Sequence, residues 1–524
     1  MLDDFPFYLC LVIVILLLIM LSRKIKVAYP VLLVLAGLGI SFIPGLPTLH
    51  IESELIFILF LPPLLYDAAW HISWKELWHW RRIIGSFAFL VVFFTALAVA
   101  LVVNHFIPGF TLALGFLLGA IVSPPDAVSV GAILKFVKVP KRLSYVLEGE
   151  SLLNDASSLI IFRFALIAVA TGNFVWHEAA LSFGWMLAGG VGIGLIVGYV
   201  FMKTHKYLPT DTNTDIALSL LTPYIMYIAA ESVHSSGVLA VVSGGLLLSN
   251  YRLRYLSSSS RLGGLNVWDS LSFVLNGLVF MIIGLDLPQI TAGLERVSIA
   301  TAIGYGLLVT GVLIAGRILS AFAAVLVTLV ARNFITVADP RNPGFKLPFL
   351  IGWSGMRGVV SLASALSIPV YLANGSAFPQ RNLILFITFV VILTTLLLQG
   401  LTLPYLIRKL NLTDPDEVAP DEEVYNDIRK QLNQHALLYL NSNCCEQVSR
   451  QPMLQQMALK WQNNDQAADG LLMTEESKAV YRDVLDLQRK WLINKNKEDV
   501  NIDEEIIRRH LLYLDLEEEK LQFI

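Results

Sequence analysis

Residues 119–134 read GAIVSPPDAVSVGAIL, a run apolar enough for a membrane interior yet interrupted at its midpoint by Ser123, Pro124, Pro125 and Asp126. Two successive prolines remove two amide donors and clash with the preceding turn, so a helix has to break there and leave carbonyls without intrahelical partners. Broken backbone at membrane depth is tolerated where protein or an aqueous cavity covers it. Unpaired carbonyls facing one way, with the positive end of a half-helix facing the other, suit small cations and carboxylates together. A mere kink would need only one proline.

The surrounding composition agrees with a membrane setting. Of 524 residues 56% are hydrophobic and 15% charged, against roughly 25% charged in soluble domains. Scanning for runs of about 20 apolar residues, the length that crosses roughly 30 Å of hydrocarbon, finds about thirteen. They lie near 5–22, 28–43, 53–71, 84–106, 110–136, 142–171, 181–202, 212–231, 235–250, 266–286, 299–330, 347–373 and 382–408. The first run has neither a basic leading segment nor a small-residue cleavage site, and further spans follow it, so it reads as a helix and not as a signal peptide.

Basic residues cluster after alternate spans: Arg23, Lys24, Lys26; Lys75, Arg81, Arg82; Lys135, Lys138, Lys141, Arg142; Lys203, Lys206; Arg252, Arg254, Arg261; Arg332, Arg341, Lys346; Arg408, Lys409. The opposite loops hold only Arg296 and Arg381. The positive-inside rule then places the amino terminus outside and the carboxyl terminus in the cytoplasm.

After residue 410 the composition changes. Residues 411–524 open with TDPDEVAPDEE, carry 23 acidic and 13 basic residues, and show helical periodicity in VYRDVLDLQRKWLINK and EEIIRRHLLYLDLEEEKL. This is expected to be a cytoplasmic, acidic, helical appendage of unknown partner. Its net negative charge argues against binding nucleic acid or anionic lipid by charge, and it holds no nucleotide-binding glycine loop or metal-ligand spacing. Cys10, Cys444 and Cys445 read as free thiols.

The ionisable residues inside the spans are Asp67, Asp126, Glu148, Glu150, Asp155, Arg163, Glu231, Arg317 and Arg357. A carboxylate at such depth costs about 3 kcal/mol on insertion scales, so a chain that keeps several is using them. Residues 148–158 read EGESLLNDASS. Ser151, Asn154 and Asp155 stand at i, i+3 and i+4 and share one side of a helix. Glu150 lies about 140° around the axis from Asp155 and faces another neighbour. One side offers oxygens to a ligand; the other needs a cationic partner. Helix packing through interhelical hydrogen bonds is the plainer use of Ser and Asn in such positions.

A second interruption, Gly352-Trp-Ser-Gly355-Met-Arg357-Gly358, falls inside LPFLIGWSGMRGVVSLASALSIPV (347–370), seven spans after the first. Interrupted spans in corresponding positions of two halves point to an inverted-repeat transporter with its site between the breaks. Spans 1–6 would repeat as 8–13 in opposite orientation, with span 7 as connector. Arg357 is then the expected partner of Glu150, because either charge alone in the core is strongly unfavourable. In the third span, FLPPLLYDAAWH (60–71), Asp67 follows what Pro62-Pro63 marks as another helix break and is a candidate for the ion path.

FLPPLLYDAA, PPDAV, EGESLLNDASSL and GMRGVVSLA, in this order over about 400 residues, resemble the sodium/proton exchangers of the monovalent cation:proton antiporter family, bacterial branch. The resemblance covers the membrane part (1–410) and not the tail (411–524). It implies a homodimer of thirteen-span subunits, each with a dimerisation part and a core part built on crossed, broken helices. It also implies that Asp155 carries the exchanged proton and binds sodium with Asp126 and Ser151, and in some members Asp67. Glu150 and Arg357 would form a structural ion pair, and Asn154 would mark an electroneutral exchanger. Many members have Thr-Asp-Pro at the first break where this chain has Pro125-Asp126-Ala127, so position 125 can contribute only its carbonyl.

The function expected is exchange of Na+ or Li+ for H+, one for one, by alternating access. A partly desolvated Asp155 takes either a proton or a cation, and the two exclude one another. No cofactor is called for beyond the transported ions, and no catalysis is implied. The setting would be a bacterial inner (plasma) membrane and the role pH homeostasis. A potassium/proton antiporter of the same architecture, or an ion channel or ion-gated receptor, are the alternatives. His71, His79 and His234 read as incidental.

Overall fold

A computed structural model describes residues 5–521, apart from 26, 44–52, 135–136, 138, 173–175, 295–296, 335–343, 373–374, 412–420, 444, 464–474 and 500–501. Lys26, Lys135, Lys138, Arg296, Arg341 and Cys444 of the sequence reading lie outside the described residues. The described chain is helical throughout, with one isolated antiparallel bridge, Tyr371 to Ala377. Six of the described helices are long and apolar enough to cross a membrane: Arg81–Phe106, Lys141–Thr171, Leu181–Tyr207, Ser258–Leu285, Ile299–Ala331 and Arg381–Leu410. The protein is a multi-pass membrane protein.

Two compact units form. The first holds residues 1–204, 218–251 and 268–413; the second holds 205–217, 252–267 and 414–524. Within the first, small residues bring helices together. A methyl group at Gly119 would sit 2.5 Å from the Ala96 carbonyl oxygen, and one at Gly115 would sit 2.8 Å from Ala100 Cα. Glycine on one helix against alanine on the other lets Val92–Phe106 and Leu112–Val122 pack backbone to backbone, which favours association where lipid offers no hydrophobic drive.

Both interrupted spans are broken. The first consists of Leu112–Val122 and Ala127–Leu134, the second of Lys346–Trp353 and Val359–Leu366. Thr111 caps the first half-helix by accepting from the Leu114 amide at 3.3 Å. Asp126 caps the next, accepting from the Val128 amide at 3.1 Å and the Ser129 amide at 3.2 Å, which satisfies donors that a helix start leaves unpaired.

The third span departs from the sequence reading. Ser53–His71 is one uninterrupted helix with Pro62 and Pro63 inside it. Pro63 has no amide to offer the carbonyl four residues earlier, that of Leu59, and the Tyr224 hydroxyl donates to that carbonyl instead, at 3.2 Å. A donor from a neighbouring helix replaces the lost backbone bond, so the helix need not open. Near Ser86–Val91 the opposite occurs: the apolar run 81–106, with no proline in it, contains a π-helical turn. The Ser157 hydroxyl donates to the Ala88 carbonyl in that turn.

The second unit has its own cores. Ile428, Leu432, Tyr481, Leu485, Leu492, Ile506, Ile507 and Leu514 pack together from helices Asp421–Asn443, Glu475–Glu498 and Glu504–Lys520, with Leu253 against them. Ala436, Leu440, Leu454, Val480 and Val484 form a second cluster beside it.

Candidate functional site

The two breaks meet. The Asp126 amide donates to the Met356 carbonyl at 2.8 Å, a backbone bond from one interruption to the other. Extended backbone at Gly358 lies so near Asp126 that a methyl group there would fall 2.1 Å from Asp126 Oδ2, so only glycine fits that approach. The Asp126 carboxylate also accepts from the Ser129 hydroxyl at 2.5 Å.

Arg357 lies at the centre of this crossing. Its Nε donates to the Val122 carbonyl at 2.6 Å, its Nη2 to the Ser123 carbonyl at 3.1 Å, and its Nη1 to the Gly355 carbonyl. The half-helix ending at Val122 therefore has its open carbonyls covered by a guanidinium, the charge that its negative end favours. The Arg357 amide in turn donates to Thr395 Oγ1 at 3.2 Å, which ties the second break to helix Arg381–Leu410.

This changes the expected ion pair. Glu150 is not held by Arg357 but by Arg317 of helix Ile299–Ala331, in two parallel bonds of 2.6 and 2.8 Å. The Glu150 and Arg317 side chains are 0% and 3% exposed. A fork-to-carboxylate match of this kind is available to Arg317 because the planar guanidinium of Arg357 is already occupied by three carbonyls. Arg317 was legible as a costly residue within a span, but with two arginines for one glutamate the sequence could not say which would pair. Arg163 has a partner too: it forms an ion pair with Glu231, whose other oxygen accepts from the Gly237 amide at 3.0 Å.

Asp155 and Asn154 come to the same crossing from helix Lys141–Thr171. Asn154 is fully buried and its Nδ2 donates to the Pro125 carbonyl at 3.3 Å. That contact joins four residues singled out in the sequence: Asn154 to the Pro125 carbonyl, and through the chain to Asp126 and Asp155. The Asn154 Oδ1 is buried with no hydrogen-bond partner. Asp155 is 8% exposed, and the contact of its neighbour Asn154 with Pro125 brings it to the break that holds Asp126. Among the described residues no lysine or arginine forms an ion pair with either acid. Ser151 is half-buried one turn before Asp155 on the same helix.

Asp67, on helix Ser53–His71, lies beside a histidine that the sequence reading set aside. His71 Nδ1 is 3.2 Å from Asp67 Oδ1, and His71 Nε2 is 3.6 Å from Asp269 Oδ1. The residues that sequence reasoning passed over are Arg317 as partner, Ser129, Thr395 and the π-helical turn under Ser157. None carries a sequence signal beyond being polar, or apolar, within a span.

Chemically, the crossing offers two acids, an unsatisfied amide oxygen and a backbone carbonyl, while the fixed cations nearby are bound to other groups. Two interrupted helices with polar oxygens between them make a membrane-embedded transporter the class to which fold and site point. The sequence profile described as "Sodium/hydrogen exchanger, transmembrane" matches residues 11–409. The chain belongs to this sodium/hydrogen exchanger family, a family of transporters.

Its relatives include the "Sodium, potassium, lithium and rubidium/H(+) antiporter" of Bacillus subtilis, 37% identical over 390 residues, which are 72% of this chain and 58% of the relative. The Bacillus pumilus protein of the same description gives the same coverage, so the chain spans under two thirds of the length of these relatives. The Na(+)/H(+) antiporter ApNhaP of Aphanothece halophytica is 30% identical over 459 residues, 86% of this chain and 81% of that protein. Among solved structures, the sodium proton antiporter MjNhaP1 of Methanocaldococcus jannaschii at pH 8 superposes with a TM-score of 0.61 at 18% identity, covering 78% of this chain and 99% of that one. At that identity the likeness shows the fold.

Proposed function

We propose that the protein exchanges a monovalent cation for a proton at Asp155. The observation that carries this reading is the pairing pattern: Glu150 binds Arg317, Arg357 covers backbone carbonyls, and Asp155 with Asp126 is left beside two broken helices without a fixed counter-ion. Two acids of like charge in a low-dielectric site need a mobile cation or a proton. A bare Na+ takes oxygen ligands, and Asp155, Asp126, Ser151, Asn154 and the Pro125 carbonyl are the oxygens assigned to it, with Asp67 on the path toward them.

The two guests compete for one carboxylate, so each turnover returns a proton for a cation, and the neutral Asn154 keeps the exchange at one for one. Rocking of the part that carries the breaks exposes the site to either side in turn. The architecture proposed with this is thirteen spans in two inverted six-helix repeats (residues 1–410), followed by a cytoplasmic appendage (411–524). The protein works as a homodimer in the bacterial plasma membrane, with its amino terminus outside, and serves pH homeostasis.

Sodium is the first substrate to test, lithium the second. Potassium is a specific rival because the Bacillus relatives are described as antiporters of sodium, potassium, lithium and rubidium. In proteoliposomes with an imposed pH gradient, each cation added in turn should dissipate the gradient if it is a substrate, and the rate should not respond to a membrane potential. Asp155→Asn should abolish the signal. Wild-type exchange in that variant would reject the assignment.

A further inference from the structure

We infer that Asp67, His71 and Asp269 form a binding site for a divalent transition-metal ion of the Zn2+ or Co2+ type. Asp67 and His71 stand at i and i+4 on helix Ser53–His71 and so share one side of it. Helix Ser258–Leu285 brings Asp269 against His71. One ligand atom from each of the three residues lies within 4.8 Å of the other two.

The imidazole is oriented as a ligand would be. His71 Nδ1 lies 2.9 Å from the Asp67 carbonyl oxygen. A carbonyl only accepts, so Nδ1 carries the hydrogen and the lone pair of the neutral ring is on Nε2. Metal-binding histidines are fixed in this way, by a bond from the other ring nitrogen to a carbonyl or carboxylate. His71 Nε2 is 3.6 Å from Asp269 Oδ1. That separation is long for a hydrogen bond. It is near the roughly 3.4 Å between two ligands that each sit about 2.1 Å from a tetrahedral ion.

Asp67 supplies the third group. Its Oδ1 is 3.2 Å from His71 Nδ1, is shut off from solvent and accepts no hydrogen bond among the described residues. A carboxylate oxygen in that state is costly, and a bound cation offsets the cost. Ser272, at i+3 from Asp269 and on the same side of its helix, is 6% exposed, and its hydroxyl too has no partner among the described residues. Water held on an ion beside Asp269 brings a donor to that side of the helix.

The ligands are steadied by the residues that precede them. Tyr66, Trp70 and Trp268 come directly before Asp67, His71 and Asp269 in the chain, and all three rings are buried. Tyr66 packs on Trp70 with ring centres 5.8 Å apart and on Trp268 at 4.9 Å. Trp268 Nε1 donates to Ser219 Oγ at 3.1 Å, and the Trp70 carbonyl accepts from the Ser249 hydroxyl at 2.7 Å. Helices Thr212–Ser232 and Gly237–Tyr255 thus hold the backbone on which the ligands stand, the support a metal site requires. The donor set selects the ion: one imidazole with two carboxylates suits Zn2+, Co2+ or Ni2+, whereas Mg2+ and Ca2+ take oxygen ligands.

The site shares Asp67 with the transport reading but is tested by binding alone. The full chain is placed in lipid nanodiscs without a histidine tag, with Cys10, Cys444 and Cys445 changed to serine, and titrated with Co2+. One equivalent should bind and give the visible absorption bands of Co2+ in a nitrogen–oxygen site. Zn2+ should bleach those bands, and about a hundredfold excess of Mg2+ should not. His71→Gln and Asp269→Asn should each weaken binding by about a hundredfold, and Asp67→Asn by about tenfold or more.

The His71 and Asp269 side chains are 43% and 66% exposed, so their variants should fold, which thermal unfolding without metal checks. If one misfolds, the other decides. X-ray absorption of the Zn2+-loaded wild-type sequence decides independently of any variant: one imidazole among oxygen ligands is expected. Absence of binding, a shell of oxygen alone, or binding that persists in both His71→Gln and Asp269→Asn overturns the site, and leaves an imidazolium shared by two acids as the account of the cluster.

Discussion

Glu150 and Arg317 face each other through two parallel bonds, Oε1 to Nη1 at 2.6 Å and Oε2 to Nη2 at 2.8 Å, with both side chains shut off from solvent. Helix Lys141–Thr171 and helix Ile299–Ala331 are locked to each other one turn away from Asp155. Breaking such a pair from one side leaves a buried charge without compensation, a loss of about 3–5 kcal/mol. Arg317→Met should therefore lower the unfolding temperature of the purified protein sharply. The double variant Glu150→Gln with Arg317→Met should recover most of that loss. Additive losses would show that the two do not act as a pair.

Arg357 should behave differently, because its partners are carbonyls. Lysine keeps the charge but lacks the planar fork that reaches Val122, Ser123 and Gly355 together. Arg357→Lys is expected to cost about 1–3 kcal/mol for the carbonyls left open and to reduce exchange in proteoliposomes. Wild-type stability and exchange in this variant would mean that the half-helix end needs no cap.

Gly358→Ala probes the approach of the two breaks. Its methyl group would fall 2.1 Å from Asp126 Oδ2, so the carboxylate has to move. The cation concentration for half-maximal exchange should rise by roughly tenfold, the effect of about 1.4 kcal/mol lost at the site. An unchanged half-maximal concentration would separate Asp126 from cation binding.

Tyr224→Phe removes the donor that serves the Leu59 carbonyl freed by Pro63. One hydrogen bond of this kind contributes about 1 kcal/mol. Thermal unfolding should register that loss, while cation affinity stays as it was. No loss of stability would mean that the proline-bearing helix does without the replacement bond.

The tail has its own pH dependence. Burial pushes His510 down to about 4, from an ordinary 6.5, with Arg429 and Arg509 adding to the effect and its bond to the Tyr425 carbonyl opposing it. The folded tail keeps His510 neutral where the unfolded chain would protonate it. Its contribution is present above pH 6.5 and is lost as pH falls toward 4. Hydrogen exchange of 504–520, corrected for the intrinsic pH effect, should show falling protection over that window. His510→Phe should flatten the profile, and a profile unchanged by the substitution would place the acid sensitivity elsewhere.

Much of this protein could be read from the chain alone, for local reasons. Pro124 and Pro125 break their span because a missing amide and a ring clash act on the nearest turn, and the i, i+3, i+4 spacing of Ser151, Asn154 and Asp155 sets one helix side whatever lies beside it. Long apolar runs mark membrane-crossing helices in the same way. Which groups meet is not local. Pro62 and Pro63 predict a break as strongly as Pro124 and Pro125 do, yet that helix is whole, and Tyr224 from a distant helix supplies the donor for the carbonyl that Pro63 leaves open. Glu150 required a cation, but the choice of Arg317 over Arg357 depended on where three carbonyls of two broken helices lay. Buried charges and open backbone groups take whatever partner packing brings within reach, and packing is a property of the folded chain as a whole.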